Sequence, residues 1–159
     1  MEQRVTVIGA GTMGLGIAQV TAIHGIPTVL CDLSQDLLDA ARAKIDSSVE
    51  KGIEKGKTPS DARDRLGDSL STSTVTTEAC SGSNFIIEAV PEVLDLKMKI
   101  FSEVEKVADH TAILATNTSS LPITQLASGL ENPQRFVGMH FFNPVPIMSL
   151  VEVVRGRFS

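Results

Sequence analysis

Proton transfer is the chemistry that His140 and Glu152 could carry. His140 closes the apolar run FVGMH, and Glu152 interrupts the apolar run SLVEVV. An unpaired carboxylate buried in an apolar strand is costly, so Glu152 is expected to have a polar partner. A chain returning through Pro144 and Pro146 can bring it beside His140. A histidine whose ring is held by a carboxylate serves as a general base. Taken singly, a core histidine satisfied by its neighbours and an edge glutamate are the commoner arrangement, so this pair needs support from the rest of the chain.

A second set of residues suits anion binding. Gly9, Gly11 and Gly14 fill G-x-G-x-x-G, with Ala10, Thr12 and Met13 between them. Alone the pattern is weak. Here it follows a strand-like run, RVTVIG, and opens a run with helical spacing, so the glycines can turn tightly, admit a pyrophosphate to the backbone and let helix meet strand. The helix N-terminus offers free N–H groups to the anion. Asp32 ends the next apolar run, where its carboxylate can accept from ribose hydroxyls and repel a 2′-phosphate. No arginine stands beside it, which favours NAD over NADP. A glycine turn with a capping aspartate and no ligand, or an FAD site, would share the same pattern.

Other polar residues have ordinary readings of equal standing. Ser119 or Ser120 could cap a helix ahead of Pro122, and Asn143 suits a turn before Pro144. Glu92 and Lys97 read as first-turn helix residues on a solvated face. Lys51, Lys55 and Lys57 form a charge run of the kind that is usually solvated.

The elements that must hold these residues follow from periodicity. Strands are expected at 4–9, 28–31, near Thr74–Thr76, at 85–88, 112–115 and 135–140, with a last extended run at 150–154. Helices are expected at 13–24 with a Gly25 stop, and at 34–49 behind a Ser34 cap, burying Leu37, Leu38, Ala41, Ile45 and Val49. A further helix opens at Pro91 and turns Val93, Leu96, Ile100 and Val104 inward, and a short one spans 122–127. Between Lys51 and Ser73 the chain is polar and carries Gly52, Gly56, Pro59 and Gly67, so a protruding helical segment is expected over about 45–70. Strands that are nearly all apolar and alternate with helices predict a doubly wound α/β fold with a mainly parallel sheet, of the Rossmann type, forming one domain over 1–159.

Four blocks in order, VIGAGTMGLGIA from Val7, IIEAVPE from Ile86 with Lys97 beyond, ATNTSS from Ala115 and HFFNPVP from His140, resemble the N-terminal domain of the 3-hydroxyacyl-CoA dehydrogenase family. The resemblance implies hydride transfer between C3 of a 3-hydroxyacyl-CoA and NAD, giving the 3-oxoacyl-CoA. It further implies that His140 takes the hydroxyl proton, Glu152 orients the imidazole, Ser119 binds the substrate oxygen and Asn143 lines the same site. Glu92 and Lys97 would meet the nicotinamide half of NAD, Asn117 would belong to the cofactor site, and Lys51, Lys55 and Lys57 would meet the CoA phosphates; no metal is implied. Family members continue into a helical domain that completes the pocket and forms a homodimer. The chain stops at Ser159, about where that connection begins, so it is expected to be a fragment that binds NAD but turns over substrate poorly. A sugar-acid dehydrogenase of the L-gulonate or lambda-crystallin kind is the rival enzyme, which the paired phenylalanines after His140 disfavour. A non-catalytic dinucleotide module is the rival of another class, and it would have no need of the proton-transfer group.

Bulk composition limits the alternatives. A formal net charge of -5 argues against a nucleic-acid partner. Two cysteines are too few for a disulfide framework. No apolar run reaches membrane-spanning length and no targeting segment precedes the first strand, so a soluble, cytoplasmic protein is expected.

Overall fold

Short apolar runs form strands wherever a helix follows to cover them. The computed structural model describes residues 3–159; Met1 and Glu2 lie outside the described residues. In chain order the elements are β1 (Val5–Ile8), α1 (Thr12–Ile23), β2 (Thr28–Cys31), α2 (Gln35–Glu54), α3 (Ala62–Ser69), β3 (Leu70–Ser73), α4 (Thr76–Cys80) and β4 (Phe85–Glu88). They are followed by α5 (Leu94–Glu105), β5 (Ile113–Thr116), α6 (Ile123–Ala127), β6 (Phe136–Phe141) and β7 (Val151–Arg155). The seven strands run in the order β3-β2-β1-β4-β5-β6-β7. All neighbours are parallel except β6 and β7, which are antiparallel. This is the expected doubly wound α/β architecture. The order reverses between β1 and β4, which opens a crevice at the strands' carboxyl ends.

Both faces of the central parallel strands are covered. On one, Val7 and Leu30 pack with Ile17 and Ala18 of α1 and with Leu38 and Ile45 of α2. On the other, Ile86 and Leu114 pack with Phe101, Val104 and Leu126, and the rings of Phe101 and Phe136 meet edge to face at 4.7 Å. None of the described helices is long and apolar enough to cross a membrane.

Several local expectations are corrected. The third strand lies at Leu70–Ser73, not near Thr74–Thr76; pairing of Thr28 with Leu70 sets its register, and Thr76 opens α4 instead. The β-branched TVT favoured a strand there, and tertiary pairing overrode it. Helix α5 begins at Leu94 and buries Lys97, Phe101 and Val104, while Val93 and Leu96 are exposed. Leu37 likewise faces out. The polar segment beyond Lys51 contributes to the core: Ala62 and Leu66 of α3 are buried in the same cluster as Ile17 and Ala22.

Candidate functional site

At the glycine turn the chain leaves β1 and enters α1. Gly9 has φ +105°, and a Cβ there would sit 2.8 Å from the Ala89 carbonyl oxygen. A Cβ on Gly14 would sit 1.7 Å from the Gly9 oxygen, so this glycine allows helix and turn to touch. Gly11 differs, since a Cβ there would meet nothing within 4 Å. It is the N-cap of α1 and makes no side-chain capping bond, which leaves the first-turn N–H groups for an anion. Asp32 Oδ2 accepts the Ala10 N–H at 2.8 Å, tying the end of β2 to the turn. Gly9, Gly11, Thr12, Met13 and Asp32 line one open cavity of about 520 Å³.

Across the crevice, a second cavity of about 370 Å³ lies at the carboxyl ends of β4, β5 and β6. Glu92, Asn117, Ser119, His140 and Asn143 line it, and Met13 and Val90 border both cavities. His140 sits opposite Glu152 in the β6–β7 register, and its Nδ1 lies 2.9 Å from Glu152 Oε2. A carboxylate at Nδ1 favours the proton on that nitrogen, which leaves Nε2 as the acceptor. The structure thus brings the two residues together, although for a different reason than expected. Glu152 is 53% exposed, so strand pairing, not the cost of burial, places it.

Ser119 is exposed on the cavity wall and neither it nor Ser120 caps α6, whose N-cap is Pro122. The local turn is held by Thr118, whose hydroxyl accepts from Leu121 N–H at 2.9 Å. Asn117 Oδ1 accepts from Phe141 N–H at 3.0 Å, fixing β5 to β6 at the cavity floor. The ring of Phe142, one of the paired phenylalanines noted in the sequence but given no role at the site there, lies 4.4 Å from that of His140.

Lys97 is corrected most sharply: it is fully buried, not solvated, and does not line the cavity. Its ammonium donates to both oxygens of Glu88, at 2.8 and 2.9 Å, and to the Asn117 carbonyl at 3.2 Å, and lies 3.2 Å from Glu92 Oε2. Glu88, also fully buried, accepts further from Val90 N–H at 2.7 Å and from the Thr116 hydroxyl at 2.6 Å. Burial pushes the Glu88 carboxyl up, against the pull of Lys97, Thr116 and the Val90 N–H. Both of its oxygens accept from donors and the Lys97 ammonium bridges them, which is the geometry of a carboxylate paired with a cation. Burial also pushes Glu92 up, but the Thr118 hydroxyl, Lys97 and Ser120 outweigh it and hold this carboxyl below its usual value. Sequence reasoning missed Glu88. The signal was present in FIIE, a carboxylate ending a wholly apolar strand with a lysine nine positions on.

Lys51, Lys55 and Lys57 gather with Gln19 and Thr58 around a separate depression of about 390 Å³, bordered by Pro146 and Ile147. The three cations therefore share one surface, apart from the His140 cavity.

Fold and crevice together define a dinucleotide-binding domain with a histidine–carboxylate pair at its far end. Residues 4–159 match the family described as "3-hydroxyacyl-CoA dehydrogenase, NAD binding domain", and the chain belongs to it. The chain is 44% identical over 155 residues to the 3-hydroxybutyryl-CoA dehydrogenase of Mycobacterium tuberculosis, covering 96% of this chain and 54% of that protein. It is 41% identical over 160 residues to the mitochondrial hydroxyacyl-coenzyme A dehydrogenase of Sus scrofa, covering 98% and 51%. The crystal structure of (S)-3-hydroxybutyryl-CoA dehydrogenase from Ralstonia eutropha superposes with a TM-score of 0.94 at 38% identity, covering all of this chain and 56% of that one. The chain thus spans about half the length of these relatives.

Proposed function

We propose that this chain is the cofactor-binding half of a 3-hydroxyacyl-CoA dehydrogenase, with His140 as general base and Glu152 as its orienting partner. The observation that carries the reading is the His140–Glu152 pair, held by strand register at the wall of a cavity that shares Met13 and Val90 with the one at the glycine turn.

The residues present fit NAD. The uncapped first turn of α1 and the open space at Gly11 suit a pyrophosphate, and Asp32 suits the adenosine ribose. The far cavity then receives the nicotinamide half, and the bound cofactor supplies the hydride acceptor. His140 Nε2 takes the proton from the 3-hydroxyl as hydride leaves C3, so the alcohol becomes a ketone. Glu152 holds the Nδ1 proton and stabilises the resulting imidazolium. Ser119, free of capping duty, hydrogen-bonds the substrate oxygen, and Asn143 packs beside it. Lys51, Lys55 and Lys57 form a landing surface for the phosphates of CoA. The remaining pocket wall and the homodimer contact belong to a second, helical domain of the kind that would account for the relatives' other half.

Activity is tested on acetoacetyl-CoA and NADH, in a protein where such a domain continues this chain. His140→Gln should lower turnover by about 10²–10⁴, with NADH affinity retained. An undiminished variant would rule out His140 as the base. Vigorous turnover by the 159-residue chain alone would refute the two-domain reading.

A further inference from the structure

The buried cluster beneath the cavity has a charge balance with a functional consequence. Lys97 faces two carboxylates, Glu88 at 2.8 Å and Glu92 at 3.2 Å. One cation between two anions leaves a single net negative charge. Glu88 is sealed in the core, whereas the Glu92 side chain is 37% exposed and is the one carboxylate among the described residues lining the cavity. Thr118 and Ser120 hydroxyls also bond Glu92 Oε1, so its position is fixed from the loop side as well. The surplus charge is therefore presented where the nicotinamide half would lie.

We propose that this cluster makes the site sense the redox state of the cofactor. Glu92 attracts the cationic ring of the oxidised form and is indifferent to the neutral ring of the reduced form. Glu88 and Lys97 are positioning residues: Glu88 occupies Lys97, which prevents the lysine from neutralising Glu92. This inference rests on the reading above that the nicotinamide half occupies this cavity.

The test is the ratio of dissociation constants for NAD and NADH on the chain itself. NADH fluorescence gives one constant and competition by NAD the other, with little background because the chain has no Trp or Tyr. Glu92→Gln should weaken NAD binding by about three- to tenfold, as expected for removing one partly solvated charge near a cation, while NADH binding changes less than about twofold. Glu92→Asp keeps the charge and should restore the ratio. Glu88→Gln, remote from any ligand, should move the ratio the same way as Glu92→Gln, because Lys97 then pairs with Glu92 alone. A purely structural role would weaken both forms in proportion, and that result overturns the proposal. Should Glu88→Gln not fold, Glu92→Gln against Glu92→Asp still decides whether charge sets the ratio. A parent chain that binds neither form defeats the cofactor reading itself; one that binds both with ratios unmoved by the variants defeats only this inference.

Discussion

At the glycine turn the binding surface is backbone, shaped by what is absent: no Cβ at Gly9, Gly11 or Gly14, and no side chain capping α1. At the opposite end of the crevice it is side chain, shaped by charges that must balance: Lys97 between Glu88 and Glu92, and His140 against Glu152. On the function proposed above, the first end recognises a phosphate through N–H groups that any sequence possesses, provided its glycines let the ligand approach. On the same proposal the second end carries the chemistry, and needs particular residues at particular atoms. The two ends should therefore fail differently when altered. Substitution at the turn should act through sterics and substitution at the cluster through uncompensated charge.

The largest effect is expected at Lys97. Lys97→Met leaves Glu88 buried without its cation, and breaking a buried pair from one side costs about 3–5 kcal/mol, readable by urea unfolding. The loss should depend on pH. Without Lys97, the folded-state pKa of Glu88 lies far above its unfolded value of about 4.3. Between the two values the folded chain holds the extra proton, so stability falls as pH rises. Lys97→Met should thus be milder near pH 5 than near pH 8, and Lys97→Met with Glu88→Gln should recover much of the loss. A pH-independent loss would show that packing, not charge, holds this end together.

Gly14→Ala comes next and probes the turn. Its Cβ would fall 1.7 Å from the Gly9 oxygen, and relief requires backbone movement because no side chain can rotate away. Overpacking of this kind costs about 1–3 kcal/mol or more, here without the pH dependence of the Lys97 variant. If Gly14→Ala melts like the parent, helix and turn are not in the contact that the structure shows.

The same division explains what could be read before the structure was known. The glycine turn and Asp32 are local: strand, turn, helix and the next strand follow one another within the first 32 residues, so pattern and position coincide. The cluster is not local. Glu88, Lys97 and Asn117 meet because β4, α5 and β5 pack together, and although Lys97 shares a helix face with Phe101 and Val104, its charge marks it as an outward residue until its buried partner is known. Periodicity put Val93 and Leu96 on the buried face because it ranks lysine as polar; a lysine with a buried carboxylate partner belongs inside. The rule that an apolar strand's lone carboxylate needs a partner was sound but fitted Glu88 better than Glu152. Strand β7 is exposed along its whole length, so Glu152 reaches His140 by register. Its partner was identified correctly from a burial cost that the residue does not bear.

Gly11→Ala, the smallest change, separates fold from binding most cleanly. Gly11 has φ -70° and ψ -175°, an extended conformation open to any residue, and its Cβ would project into empty space. Alanine is a poorer N-cap than glycine, so stability should fall by about 1 kcal/mol. On the proposed function the same empty space is where the pyrophosphate approaches the backbone, and a methyl group there would hold it off the N–H groups of α1. NADH affinity should drop about tenfold, the loss of roughly one hydrogen bond to a charged group, and NAD affinity should drop equally because the pyrophosphate is common to both. That equality is the contrast with Glu92→Gln, which should move NAD more than NADH. If Gly11→Ala binds NADH like the parent, the phosphates do not rest on this turn and the backbone end of the comparison falls.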